Sequence, residues 1–405
     1  MKNGFEYKLE ILRGIAALIV LFHHTVNHPF QLDPHYHPTD VWWIFIPPGH
    51  LSVLVFFVLS GYVIGYTNPE PLTREAIPFY LKKRILRVYP LYFIAIIVTI
   101  IITQGTWPVS SIIKHLLFLN KPNTTIFDNS PLWSLPFEVL YYLLFIPISY
   151  FKINTKMVLF LSFVLSIVFY FQHKYIIHSY FIGLVFWIMG AQLSGLKEGG
   201  VRYRTGEYIS LLFLIFSIEY LNPINDITTK LYGGYPKISL FFPDYTYIPF
   251  CFIIITVFTN RKHPLLKITR LLIYILPAVS IGIKLVDLSF NISAIFTMEA
   301  GYLFFPIIFY LLSLASLGIN FKSDVIKRNA LYIGSLSYGI YVIHFPIISI
   351  FRRIDFFSGT AFTYIVRLII LIPVVIFAAY IMERKIQPFV KKWFQPKKLD
   401  VPDKN

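Results

Sequence analysis

An all-α, polytopic bundle of membrane-spanning helices is the fold class this sequence predicts, and three observations predict it. The chain is 56% hydrophobic and only 14% charged over 405 residues, where a soluble domain would carry about a quarter charged residues. Phe (40) and Tyr (28) are abundant, as suits lipid-facing and interfacial aromatics. The apolar residues fall into runs of about 15–22, the scale needed for a hydrocarbon core roughly 30 Å thick.

The runs lie near 10–28, 47–66, 88–104, 132–150, 156–171, 179–195, 207–221, 244–259, 271–290, 298–318, 332–350 and 361–382. That sets the count at twelve spans, with ten or eleven left open by the shorter runs. Gly183 and Gly190 in the sixth run suit close helix packing, as does the Ser60-Gly61 pair in the second. Lys and Arg set the orientation. Lys2, Lys8 and Arg13 open the chain, the next connection has no Lys or Arg, and KKRILR follows the second run. The alternation continues through Lys152 and Lys156, then Lys197, Arg202 and Arg204, then RKHPLLKITR, KSDVIKR and the tail. Both termini are therefore expected in the cytoplasm. Arg352 and Arg353 break the pattern on the outer side. Three outer loops, 28–46, 105–131 and 222–243, are rich in Pro, Asn, Asp and aromatics; they suit a carbohydrate or plain connection equally.

The net charge of +16 invites a nucleic-acid reading. The basic residues instead sit between apolar runs, without the basic-aromatic interleaving of a soluble binding face, so no nucleic-acid partner is expected. A single cysteine, Cys251, excludes an intramolecular disulfide framework and a Cys-based metal cluster. The first run keeps Arg13 and lacks a cleavage signature, so it is expected to remain as a helix. Residues 1–392 form the expected membrane domain and 393–405 a short basic tail. No internal repeat is visible, which disfavours an inverted-repeat transporter.

Arg13 and His24 bracket the apolar stretch GIAALIVLFH. At about 100° per residue, eleven steps return to nearly the same helix face. At about 1.5 Å per residue they advance roughly 16 Å, half of the hydrocarbon core. An ionisable residue at that depth is costly and points to function. A neutral imidazole in an apolar site can accept a hydroxyl proton. A structural histidine bonded inside the bundle is the competing reading. His23 points about 100° away from the Arg13 stripe, which favours His24.

Arg84 and Arg87 are spaced i, i+3, which puts two guanidinium forks on one helix face, suited to a phosphate. From spacing alone, an ordinary positive-inside cluster anchored to lipid phosphate is the better account. Trp133, Ser134 and Glu138 open the fourth run; Ser134 and Glu138 share a face, and Glu138 needs a partner or a proton there. A helix-start carboxylate favoured by the dipole is the bland account. Tyr341 and a second deep histidine, His344, follow in SLSYGIYVIHFPI, and Glu383 ends the last run.

Together these segments resemble the membrane-bound acyltransferase family 3, whose members O-acylate surface and secreted carbohydrates. The matching text is LRGIAALIVLFHH, FFVLSGYVIG, KKRILRVYPLYF, PLWSLPFEVLYYLLF, SLSYGIYVIHFPI and YIMERKIQPF, in the family's order. The likeness spans about residues 8–392 and is loose from 155 to 330. It implies transfer of an acyl group, most often acetyl, from cytoplasmic acyl-CoA to a sugar hydroxyl outside a bacterial cytoplasmic membrane. It implies that the family's Arg-x10-His motif falls on Arg13 and His24, with the histidine catalytic. Its Arg-x-x-Arg motif falls on Arg84 and Arg87 as CoA-phosphate ligands, and its C-terminal carboxylate on Glu383. Trp133, Ser134, Glu138, Tyr341 and His344 are expected in support. Acyl-CoA is expected as donor substrate, with no tightly bound cofactor and no metal. A carbohydrate acceptor, membrane lipid and glycan-assembly proteins are the implied partners. Many members continue into a periplasmic esterase-like domain; none is visible here, so a second transfer step is expected to need another protein. A proton-coupled transporter or flippase for a glycan precursor, with His24 and Glu138 as relay, stays open as the alternative.

Overall fold

The computed structural model describes residues 4–38, 45–104, 107–120, 127–201, 203–226, 240, 242–289 and 298–394. Parts of the three loops (39–44, 105–106, 121–126, 227–239 and 241), Lys2, Arg202 and the tail from 395 lie outside the described residues. Those described form helices and no named strand; one isolated bridge joins Glu198 to Arg261.

The helices, in order, are α1 (Gly4–Val26), α2 (Gly49–Thr67), α3 (Ala76–Ile102), α4 (Val109–Leu116), α5 (Leu135–Tyr150), α6 (Thr155–Phe171), α7 (Tyr175–Ser194), α8 (Thr205–Tyr220), α9 (Ile248–Phe258), α10 (Leu266–Ser289), α11 (Met298–Ser316), α12 (Asp324–Ser335), α13 (Ser337–Arg352), α14 (Ala361–Tyr380) and α15 (Gln387–Trp393). A π-helical turn, Ile381–Ile386, joins the last two. Eight helices among the described residues are long and apolar enough to cross a membrane. A ninth span is possible as the bent pair α12–α13, and three shorter apolar helices remain. The all-helical membrane bundle read from the sequence is therefore what the chain forms.

Two boundaries differ from the sequence reading, each for a physical reason. α3 begins twelve residues before the apolar run, because KKRILR continues the helix as an amphipathic turn with Lys82 and Lys83 exposed and Tyr80 buried. Hydropathy marks where a helix meets lipid; backbone hydrogen bonding carries it further. The eleventh run is broken at Leu336, where α12 and α13 meet at 68°.

Close approach is set by glycine where a side chain has no room. A Cβ on Gly61 would strike the Trp187 carbonyl, and one on Gly190 the Val58 carbonyl, which locks α2 against α7. α1 lies between α2 on one side and α12 and α13 on the other. The helix that carries Arg13 and His24 thus packs against α2 and α13, both of which line the candidate active site.

Candidate active site

A cavity of about 250 Å³ opens between α1, α2, α3, α5 and α13. Arg13, Arg84, Arg87, Ser134, Glu138 and Tyr341 all line it, as do Ser60, Tyr142 and Tyr338. Both guanidinium groups of the i, i+3 pair reach one space, and so do Ser134 and Glu138, as their spacings predict. Three arginines against one lining carboxylate make the cavity electropositive.

The arginines differ in how they are held. Arg87 donates through Nη1 to both oxygens of Glu383, at 3.0 and 3.3 Å, and its guanidinium lies 5.3 Å from the centre of the Tyr338 ring. Glu383 also accepts the Gly339 N–H at 3.3 Å. Arg84 lies over the Tyr80 ring at 5.7 Å, and its Nε is buried with no hydrogen-bond partner. A buried donor without an acceptor is rare in folded proteins, and here it belongs to a residue lining an electropositive cavity.

Helix α3 can carry this load because its own weak point is covered. Pro90 has no N–H, so the Leu86 carbonyl four residues earlier loses its helical partner. Gln387 Nε2 donates to that carbonyl at 2.6 Å, and Tyr338 O–H donates to Val88 O at 2.8 Å. The open turn lies beside Arg87, and α15 and α13 close it.

Glu138 is paired, as its depth requires. Tyr142, one turn on, donates a short hydrogen bond to it; Ser60 donates to Tyr142 at 3.1 Å, and Trp187 Nε1 to Ser60 at 3.2 Å. Ser134 Oγ and Tyr341 Oη stand 2.7 Å apart, and Tyr341 donates to Pro131 O at 2.6 Å, so Ser134 is the donor between them.

His24 does not line this cavity. Its ring lies 5.4 Å from His344, 5.1 Å from Phe345 and 5.3 Å from His23, centre to centre. Tyr341 connects the two places, since it lines the cavity and its ring is 6.3 Å from His344. His23 is engaged elsewhere: Nδ1 donates to Pro47 O at 2.7 Å, and the ring presses on Gly49. Glu383 joins Arg87 rather than the histidines. Trp133 stacks near His50, 6.1 Å away at 18°, outside the cavity. Among the described residues no three His, Cys, Asp or Glu come close enough to hold a metal ion.

Sequence reasoning missed Ser60, Tyr142, Tyr338 and Gln387. A signal existed for two of them: Tyr142 is four residues from Glu138, and Gln387 four from Glu383. It also missed the pair His50 Nε2–Asp244 Oδ1 at 2.9 Å, because the partners are 194 residues apart.

The chain is thus an all-helical membrane bundle with an arginine-lined cavity and a packed histidine pair. The model of acyltransferase family 3, described as an acyltransferase domain, matches residues 6–384, and the chain belongs to that family. It is similar to acyltransferase MdmB of Streptomyces mycarofaciens, 28% identical over 151 residues, 33% of this chain and 36% of that protein. It is also similar to protein 2 in the picA locus of Rhizobium radiobacter, 28% identical over 153 residues, 31% of this chain and 73% of that protein. The match to the first relative thus spans about a third of its length. No solved structure matches.

Proposed function

We propose that this acyltransferase moves an acyl group, acetyl in the simplest case, from cytoplasmic acyl-CoA to a hydroxyl of a cell-surface or exported carbohydrate in a bacterial cytoplasmic membrane. The observation that carries the reading is the cavity shared by Arg13, Arg84 and Arg87, with one buried guanidinium nitrogen unpartnered. Such forks suit the phosphates of a nucleotide-bearing donor. The pantetheine arm then runs along the cavity toward Ser134 and Tyr341, and the thioester approaches His24 from the side of Tyr341 and His344.

His24 acts as the base. The acceptor O–H gives its proton to an imidazole nitrogen as its oxygen attacks the thioester carbonyl. Hydrogen-bond donors at that end of the cavity stabilise the tetrahedral oxyanion. The C–S bond breaks, and the CoA sulfur takes the proton from His24. A donor held on the cytoplasmic side thereby serves an acceptor on the other side without crossing.

The test uses inverted membrane vesicles and labelled acetyl-CoA, with mass spectrometry of the glycan fraction. Label is expected in the glycan with wild-type protein and not with His24→Ala. Transfer that survives His24→Ala overturns the assignment of the base. Glycan export that proceeds without acyl-CoA, with no label transferred, supports the transporter reading instead.

A further inference from the structure

His344 is wholly buried, yet its Nε2 has no hydrogen-bond partner. Its other nitrogen is settled: Nδ1 lies 3.0 Å from the Ile340 carbonyl, one helical turn back. A carbonyl only accepts, so Nδ1 carries the proton and the neutral ring leaves a lone pair on Nε2. A buried acceptor with nothing to accept needs an explanation.

The surrounding groups narrow the donor. Tyr341, the polar ring next to it, already gives its proton to Pro131. Phe345 has no polar atom. His24 lies on the facing helix, ring centres 5.4 Å apart and planes tilted by 32°. An N–H···N bond between two imidazoles needs about 3 Å between the nitrogens, and adding the two ring radii brings the centres close to that spacing. No hydrogen bond joins the two rings as they stand, so His24 has to turn for an N–H to reach Nε2. His344 is held still to receive it. Pro346 frees the Val342 carbonyl of α13, and Asn129 Nδ2 takes that carbonyl at 3.2 Å while also donating to Thr99.

We propose that His344 is the positioning residue of a histidine pair: its Nε2 accepts an N–H from His24, so that the other nitrogen of His24 presents its lone pair to the acceptor hydroxyl. The proposal rests on His24 being the base. In the ground state His24 donates to His344 and keeps one free lone pair. When the hydroxyl proton arrives, His24 becomes an imidazolium with two N–H groups, and one remains bound to His344. His344 keeps its own proton on Nδ1 throughout and stays neutral. It does for His24 what the carboxylate does for the histidine of a serine-protease triad, orienting the ring and fixing its tautomer. A neutral partner suits a site inside a membrane, where a second charge is costly.

Three variants separate this role from packing. His344→Gln places an amide oxygen close to where Nε2 stood; His344→Asn places one near Nδ1 instead; His344→Leu has no acceptor. Purified full-length proteins are assayed with acetyl-CoA and a glycan fraction from cells lacking the enzyme, and checked for monodispersity and melting temperature. His344→Leu and His344→Asn are expected to lose about tenfold to hundredfold in kcat, the scale found when a metal-bound histidine loses the partner that orients it, with the KM for acetyl-CoA unchanged. His344→Gln is expected to recover most of the rate. If His344→Leu fails to fold, the Gln and Asn variants carry the comparison. Equal rates for Gln and Asn overturn the pair, as does a wild-type rate for His344→Leu while His24→Ala is inactive. A wild-type rate for His24→Ala removes the base itself, and the pair with it.

Discussion

Arg367 and Arg87 both approach a buried carboxylate, at opposite ends of α14, and they use their guanidinium groups in opposite ways. Arg367 is 4% exposed and spends all its donors: Nε on Phe357 O, Nη1 on Leu32 O and Phe351 O, Nη2 on Ile354 O and Phe356 O. Asp33 stands 3.9 Å away and takes its hydrogen bonds from Ser358, Thr363 and the Gly359 N–H. Arg87 has a side chain 39% exposed and hydrogen-bonds Glu383 through Nη1. A saturated arginine ties two loops together. One with donors to spare on a cavity wall is dressed for a ligand.

That contrast predicts unequal losses. Arg367→Ala leaves five carbonyls without their donor and takes the nearby positive charge from Asp33; breaking a buried pair costs about 3–5 kcal/mol. The expected result is little monodisperse protein on size exclusion in detergent. Arg367→Lys should rescue poorly, since one ammonium cannot reach five carbonyls. Arg87→Ala also takes the partner from a buried carboxylate, but Glu383 keeps the Gly339 N–H, so the protein should fold with a lowered melting temperature and raise the KM for acetyl-CoA by about tenfold or more, the loss of a charge-assisted phosphate contact. Glu383→Gln should raise it less, because an amide oxygen still accepts from Gly339 and Arg87. Equal damage to folding from Arg87→Ala and Arg367→Ala would break the comparison.

Asp33 adds a pH signature. Burial pushes its carboxyl up, but hydrogen bonds from Ser358, Thr363 and Gly359, with the Arg367 charge, hold it below the ordinary carboxylate range. A carboxyl depressed by folding stabilises the fold above its unfolded pKa, about 3.9. That stability is lost as pH falls through the lower folded value. Melting temperature in detergent should therefore drop below about pH 4, and Asp33→Asn should lower it at pH 7 while removing that part of the acid dependence. Ser60→Ala is the mildest change: it removes one link in the chain to Glu138 and should cost about 1 kcal/mol, read as a small fall in melting temperature.

Much of this was legible in local spacing. Arg84 with Arg87, and Ser134 with Glu138, announced a shared face at three and four residues, and the cavity gathers all four. The link from Arg87 to Glu383 crosses 296 residues, and no helical period reports on that. The separation of His24 from the cavity was likewise invisible, because a helical wheel gives the angle and depth of one helix and not which neighbour stands in between. Tyr341 on the cavity wall packs near His344, and His344 near His24. The Asp33–Arg367 clamp was missed for a simpler reason: one arginine in an apolar run looks like any other until its acceptors, which are backbone atoms, are known.

The π-helical turn at Ile381–Ile386 makes this end of the molecule sensitive to counting. Glu383 grips the side chain of Arg87, and Gln387 grips the main chain beside it. Both holds depend on how many residues the turn contains, since a π turn carries a surplus residue relative to an α-helix. Removing one residue between 384 and 386 leaves both side chains present but changes the angle between them, so they can no longer face α3 together. Such a deletion should damage donor binding, measured as KM for acetyl-CoA, more than Glu383→Gln does. At this joint the information lies in the length of the chain as much as in its letters.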